Sequence, residues 1–167
     1  MTAGHHEADA PGNEGRDGPP EVLIVIRSIA RQAHPIVGAV FIACVFLQVF
    51  LAGLGVFDDP RAFITHRDFG YTFGILTLVL LVLALVGRGS RRIAGLSGLL
   101  LLLFAFQSVF IALRESQPTL AALHPVNGFL ILLVAIVVTR GSWAVRAAPT
   151  TDAPATGTVQ PTPSGAR

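Results

Sequence analysis

Four long apolar runs, joined by short connections, constrain this chain more than any other feature of its sequence. They extend over residues 35–56, 63–86, 93–113 and 120–138. Each run has about 19 to 24 residues, which at about 1.5 Å per helical residue covers the ~30 Å hydrocarbon core of a bilayer. Because lipid offers no partners to backbone N–H and C=O groups, such runs must be helical. The sequence therefore predicts an all-α integral membrane protein, folded as an up-down four-helix bundle.

The composition is typical of a membrane protein. Hydrophobic residues make up 52% of the chain and charged residues only 13%, whereas soluble domains have about 25% charged residues. No basic stripe interleaved with aromatic residues occurs, which argues against nucleic-acid binding. Cys44 is the only cysteine and lies inside the first run, so no intrachain disulfide or thiolate metal site is available. The lipid bilayer is therefore the expected partner.

The segments outside the apolar runs predict how the chain is organised. Residues 1–20 are rich in glycine, proline and acidic residues, and residues 141–167 are rich in alanine, proline and threonine. Both are predicted to be disordered tails, because they contain too few apolar residues to bury. Residues 21–34 are predicted to be an interfacial lead-in, followed by a four-helix transmembrane domain over residues 35–140.

Arginine distribution predicts the orientation of the bundle, since all 12 basic residues are arginines. One side of the predicted bundle carries Arg27, Arg31, Arg88, Arg91, Arg92, Arg140 and Arg146. The other side carries Arg61, Arg67 and Arg114. By the positive-inside rule, both termini are predicted to be cytoplasmic, in the plasma membrane of a bacterium.

Glutamine and histidine recur in the same order in the two halves of the chain. Gln48 precedes His66, and Gln107 precedes His124 by nearly the same number of residues. This order predicts an internal duplication of a helix pair. Because the second and fourth helices of the predicted bundle are parallel, the two histidines are expected at a similar depth, near the outer face.

A glycine follows each of these histidines at a spacing of four residues, Gly70 after His66 and Gly128 after His124. That spacing places the glycine one turn deeper on the same helix face. Two explanations remain open: the glycines allow helices to approach closely, or they make room for a flat cofactor. His34 begins a similar HPIVG segment, and its position at the start of the first run indicates a flanking residue.

Two facing imidazoles of this kind fit bis-histidine ligation of haem b. Gln48 and Gln107 would then hold the other ring N–H groups or a haem edge, and Arg67 is a candidate partner of the propionates, as are Arg61 and Arg114. Polar residues in membranes also serve structural contacts, copper or quinone binding and proton relays. These alternatives stay open at the level of sequence.

The same residues carry a resemblance to known families. The segments LQVFLAGLGVF, HRDFGYTFGILTLVLLVLALVGR, FQSVFIAL and LHPVNGFLILLVAIVVTR resemble an uncharacterised family of small four-helix membrane proteins of high-GC Gram-positive bacteria. They also resemble one half of the haem A synthase family, which implies that His66 and His124 match one of its histidine pairs. A glutamate precedes the first histidine in the synthases, whereas Ala62 and Phe63 stand there in this chain, and the outer cysteine pair of many synthases is missing. Haem A synthesis by this chain alone is therefore not expected.

Two classes of function follow from these observations. The first is a small haem b-binding bundle that serves electron transfer, haem handling or redox sensing, as a homodimer or within a larger membrane redox complex. The second is a cofactor-free membrane interaction protein or accessory subunit, held by glycine packing and glutamine–histidine hydrogen bonds. No catalytic residue is predicted in either class.

Overall fold

The computed structural model describes residues 19–147, and this part of the chain is helical without strands. The helices are α1 (Glu21–Phe57), α2 (Ala62–Gly87), α3 (Arg91–Ala112), α4 (Pro118–Ala121) and α5 (Leu123–Ala147). α4 is a single turn, and the membrane-length helices α1, α2, α3 and α5 are long and apolar enough to cross a bilayer. The predicted all-α membrane bundle is confirmed. Of the two predicted tails, residues 1–18 and 148–167 lie outside the described residues.

The four long helices stand in a square. α1 and α3 each pack against both α2 and α5, so α1 and α3 form one diagonal and α2 and α5 the other. The arginine end of the bundle holds the start of α1, the α2–α3 connection, the end of α5 and the seven arginines at positions 27, 31, 88, 91, 92, 140 and 146. The histidine-pair end holds the α1–α2 connection, α4, His66 and His124.

An aromatic cluster fills the middle of the bundle and separates the two ends. The ring of Phe41 lies 5.4 Å from that of Phe73 and 6.1 Å from that of Phe104, and the last two are 5.3 Å apart, all between ring centroids. Other buried apolar side chains, Leu80 and Leu100 among them, extend this core. Outward-facing apolar side chains on every long helix, which in water would be costly to expose, suit contact with lipid.

The first helix is longer than predicted. α1 begins at Glu21, so residues 21–34 are continuous with the first membrane helix, and their place at the membrane interface stays a prediction. The reason for the longer helix is packing: Ala30 and His34 are both 3% exposed, and a Cβ at Gly87 of α2 would lie only 3.4 Å from the backbone nitrogen of Arg31. This close contact between α1 and the end of α2 holds the lead-in within the bundle.

The last helix also extends beyond its predicted boundary. α5 begins at Leu123, after the extra turn α4, and continues to Ala147, so residues 141–147 belong to the last helix. Ser142 is 6% exposed because it faces the interior of the bundle. Beyond it, the guanidinium of Arg146 lies 5.1 Å from the centroid of the Trp143 ring, a cation–π contact that adds to the order of the last turn.

Candidate functional site

The structure brings the two predicted histidines together at one end of the bundle. His66 is in the second turn of α2 and His124 is in the first turn of α5, so both project from diagonally opposite helices. Their ring centroids are 6.3 Å apart, with an angle of 61° between the ring planes. Both side chains are half-buried. The pair therefore lies across the bundle axis, where neither α1 nor α3 separates the rings.

His66 is held by a reciprocal pair of hydrogen bonds to Gln48 of α1. Its Nδ1 lies 3.0 Å from the main-chain oxygen of Gln48, and Nε2 of Gln48 donates to the main-chain oxygen of His66 at 2.8 Å. Gln48 therefore contacts the ring N–H group through its main chain, and a role of its side chain at a haem edge stays a prediction. A carbonyl only accepts, so Nδ1 carries the proton and Nε2 of the neutral ring is left as an acceptor.

His124 is held in the same way by Gln107 of α3. Its Nδ1 lies 3.3 Å from the main-chain oxygen of Gln107. The side chain of Gln107 again makes a different contact, since its Oε1 accepts from Nδ2 of Asn127 at 2.9 Å. Both imidazoles thus donate from Nδ1 to a main-chain carbonyl on the neighbouring helix, and both are left with Nε2 as the nitrogen available to a ligand.

Asn127 is a site residue that sequence reasoning missed. It is 5% exposed, and its Nδ2 also donates to the main-chain oxygen of Leu103 at 2.8 Å. The corresponding position three residues after His66 is Phe69, which packs on Phe73 with ring centroids 5.1 Å apart. As a result, Oε1 of Gln48 is buried without a hydrogen-bond partner. A lone asparagine inside an apolar run was the signal that could have identified this residue.

The two glycines lie against the glutamine side chains. A Cβ at Gly70 would lie 2.9 Å from Nε2 of Gln48, and one at Gly128 would lie 3.5 Å from Nε2 of Gln107. The space beside each glycine is thus taken by an amide from the neighbouring helix. This geometry favours the first of the two explanations for the glycines, close approach of helices. A direct role of either glycine toward a cofactor stays a prediction.

The arginines at the histidine-pair end are paired with neighbouring carboxylates. Arg67 approaches Asp68 at 2.8 Å, Arg61 approaches Asp59 at 2.9 Å, and Arg114 approaches Glu115 at 3.3 Å. All three arginine side chains are exposed. Their charges are therefore partly neutralised, and the predicted pairing of Arg67 with a propionate would have to compete with Asp68.

A second polar cluster lies at the arginine end, around His34. This side chain is 3% exposed, so its interpretation as a flanking residue is wrong. Its Nε2 lies 3.2 Å from Oγ of Ser97, and its Nδ1 lies 2.9 Å from Oγ of Ser142. Because Ser142 donates its own proton to the main-chain oxygen of Val138, it accepts from Nδ1–H, and Nε2 accepts from Ser97. Both ring nitrogens are satisfied within the protein.

Within residues 19–147, no group of three or more histidine, cysteine, aspartate or glutamate side chains converges to hold a metal ion. Among these described residues, no third side chain of these four types joins His66 and His124.

Comparison with known proteins gives one similarity. The family of unknown function DUF6220 matches residues 48–113, which extend from Gln48 through α2 to the end of α3. The matched segment includes His66, Gly70 and Gln107, and it ends before His124. No curated protein and no solved structure matches the chain. The matched family has no known function, so any function must be inferred from the site.

Proposed function

We propose that this protein is a small membrane cytochrome, in which His66 and His124 would hold one haem b. The observation that carries the proposal is the separation of 6.3 Å between the two ring centroids. A metal at about 2 Å from one nitrogen of each imidazole, with the ring centre about 1 Å further back, gives a separation of about 6 Å. The spacing of the pair therefore suits one metal centre.

The orientation of the imidazoles also supports this proposal. Both Nδ1 atoms are directed to main-chain carbonyls, those of Gln48 and Gln107. Hydrogen bonds of this kind fix the tautomer of a ligating histidine and raise the basicity of its other nitrogen. Nε2 is therefore the available ligand on both rings.

The number of ligands favours haem over a bare ion. The described residues supply two imidazoles and no third ligand at this end, and a porphyrin supplies the four equatorial nitrogens itself. The buried Oε1 of Gln48, which has no partner among the described residues, provides an acceptor for a donor group or water beside such a site. When bound, the haem supplies one-electron redox chemistry, whose potential depends on its ligands and surroundings. The main-chain oxygens of Gln48 and Gln107 would hold the ligands in place, and Arg67 would compete with its pairing to Asp68 to reach the propionates.

An absorption spectrum tests the proposal. The full-length protein is purified in detergent from haem-replete cells, and its oxidised and reduced spectra are recorded. A Soret band with sharp bands after reduction is expected, and both His66→Ala and His124→Ala should lose them. The matched control is His34→Ala, which removes a histidine from the other end of the bundle and should retain the haem spectrum if the variant is folded by circular dichroism.

A Gln48→Ala variant separates the roles of main chain and side chain. Since the ring of His66 bonds to the main-chain oxygen of Gln48, the haem spectrum should survive this substitution. A colourless wild-type protein that stays colourless after reconstitution with haem would refute the proposal. Haem retained in either histidine-to-alanine variant would refute the assigned ligands.

The second candidate function is a cofactor-free membrane interaction protein or accessory subunit. One observation favours it: the amides of Gln48 and Gln107 occupy the space beside Gly70 and Gly128, so these polar contacts can hold helices together without a cofactor. In that case the histidine pair contributes only to stability. The colourless outcome described above would support this function.

A further inference from the structure

The arginines at the two ends of the bundle differ in their partners. Each arginine at the histidine-pair end is paired with a carboxylate. Among residues 19–147, none of the seven arginines at the arginine end forms a salt bridge, and Glu21 is the only carboxylate on that side. This end of the bundle therefore presents a concentrated positive charge that the described protein does not neutralise.

A groove opens between α3 and α5 on the same end of the bundle. Its volume is about 700 Å³, within the ~300–1,000 Å³ range of small-molecule sites. Its lining includes the apolar side chains of Leu96, Leu133, Ile136 and Val137, together with Arg92 and Arg140. Leu133 and Arg140 are two helical turns apart on α5, so the lining extends about 10 Å along the helix.

We propose that this groove binds an anionic phospholipid, with the lipid phosphate at Arg92 and Arg140 and one acyl chain along the apolar lining of α3 and α5. The two arginines are exposed, and each can make paired hydrogen bonds to phosphate oxygens. Basic pockets between membrane helices bind anionic headgroups in this manner. The site combines an apolar groove with two cations at one end, so its occupant must be amphipathic.

Space beside Arg140, at the headgroup end of the groove, comes from Gly141 of α5. A Cβ at Gly141 would meet only Cγ1 of Ile93, at 4.0 Å, so the groove narrows little at this point. A larger side chain at position 141 would occupy the groove without changing its charge. The proposal can therefore be tested separately through the charge of the groove and through its space, and it does not depend on haem binding.

Native mass spectrometry of the detergent-purified protein provides the test. Phosphatidylglycerol and phosphatidylcholine with identical acyl chains are added at equal concentration, and the retained lipid is measured. Two arginines at the headgroup should favour phosphatidylglycerol by about tenfold or more. The Arg92→Gln/Arg140→Gln variant should lose this preference. The matched control, Arg88→Gln/Arg91→Gln, removes two exposed arginines that do not line the groove and should keep it.

Two further measurements show whether the bound phosphate belongs to a lipid and whether that lipid occupies the groove. Gly141→Leu should lower the retention of both lipids several-fold while the helical circular dichroism stays unchanged. Glycerol phosphate in excess should not displace the lipid. The proposal would be overturned by the absence of a preference in the wild type, by an equal loss in the control variant, by lipid retention unchanged in Gly141→Leu, or by displacement with glycerol phosphate.

Discussion

The two ends of the bundle use histidine differently. At the arginine end, His34 is buried, and serines of α3 and α5 satisfy both of its ring nitrogens. At the histidine-pair end, His66 and His124 are half-buried, and their hydrogen bonds in the described structure involve only Nδ1. The comparison separates a histidine that completes a structural network from two that keep a nitrogen available. Availability of Nε2, more than burial, distinguishes the candidate ligands.

The structural histidine and the histidine pair also lie on different diagonals of the bundle. His34 of α1 and Ser97 of α3 bridge one diagonal at one end, and His66 of α2 and His124 of α5 meet across the other diagonal at the opposite end. The cluster of Phe41, Phe73 and Phe104 lies between them. Each end therefore joins helices that do not pack directly. This difference between the two ends of the bundle leads to three predictions about stability.

The largest expected effect is the loss of the His34 network. His34→Ala leaves Ser97 without its buried partner and creates a cavity, so the free energy of unfolding should fall by about 3 kcal/mol. His66→Ala, measured without haem, should cost only about 1 kcal/mol, because water reaches a half-buried site. Thermal or denaturant unfolding in detergent, followed by helical circular dichroism, measures both. Equal losses in the two variants would remove the distinction between structural and available histidines.

The second prediction concerns the three glycines that follow histidines. A Cβ at Gly38 would clash with Thr139, a buried β-branched residue of α5 that has little freedom to move. Gly38→Ala should therefore cost about 2 kcal/mol. Gly70→Ala should cost about 1 kcal/mol, because Gln48 can shift at the expense of its bond to His66.

Gly128→Ala is the control of this series. Its Cβ would make an ordinary contact at 3.5 Å with Gln107, and alanine is favoured over glycine in a helix by up to about 1 kcal/mol. This variant should therefore be neutral or slightly more stable than the wild type. Unfolding midpoints that rank the three variants in a different order would contradict the packing described at the two ends.

The third prediction concerns Asn127. Asn127→Ala removes the donor to Gln107 and to the main chain of Leu103, and should lower the free energy of unfolding by about 1 kcal/mol, the scale of polar contacts between membrane helices. In a Gln107→Leu background, the same substitution should cost less, since one of its acceptors is already gone. Strict additivity in this double-mutant cycle would mean that the Asn127–Gln107 bond contributes nothing.

Much of the candidate site could be predicted because its spacing follows the helices. The order of Gln48 and His66, and of Gln107 and His124, placed both pairs near one end, and the structure brings the two histidines within 6.3 Å. The partners within each pair could not be predicted at atomic detail. Whether a ring bonds to the side chain or the main chain of a glutamine depends on helix rotation and on rotamers, which spacing does not specify.

The helix limits show the same dependence on packing. Hydropathy identified the membrane-spanning runs, but α1 begins at Glu21 and α5 continues to Ala147. Both extensions are helical because Ala30, His34 and Ser142 find contacts on other helices. No local pattern in the sequence carries that information.

The bilayer environment and the all-α class follow from the amino-acid sequence, since the apolar runs are long enough to require a bilayer and lipid requires helices. Which polar groups meet depends on how the helices pack. His34 bonds to Ser97 and Ser142, which are 63 and 108 positions further along the chain. The rotation of each helix about its own axis determines these partners. Hydropathy and spacing are properties of single helices, whereas the contacts between diagonal helices depend on how all four pack together.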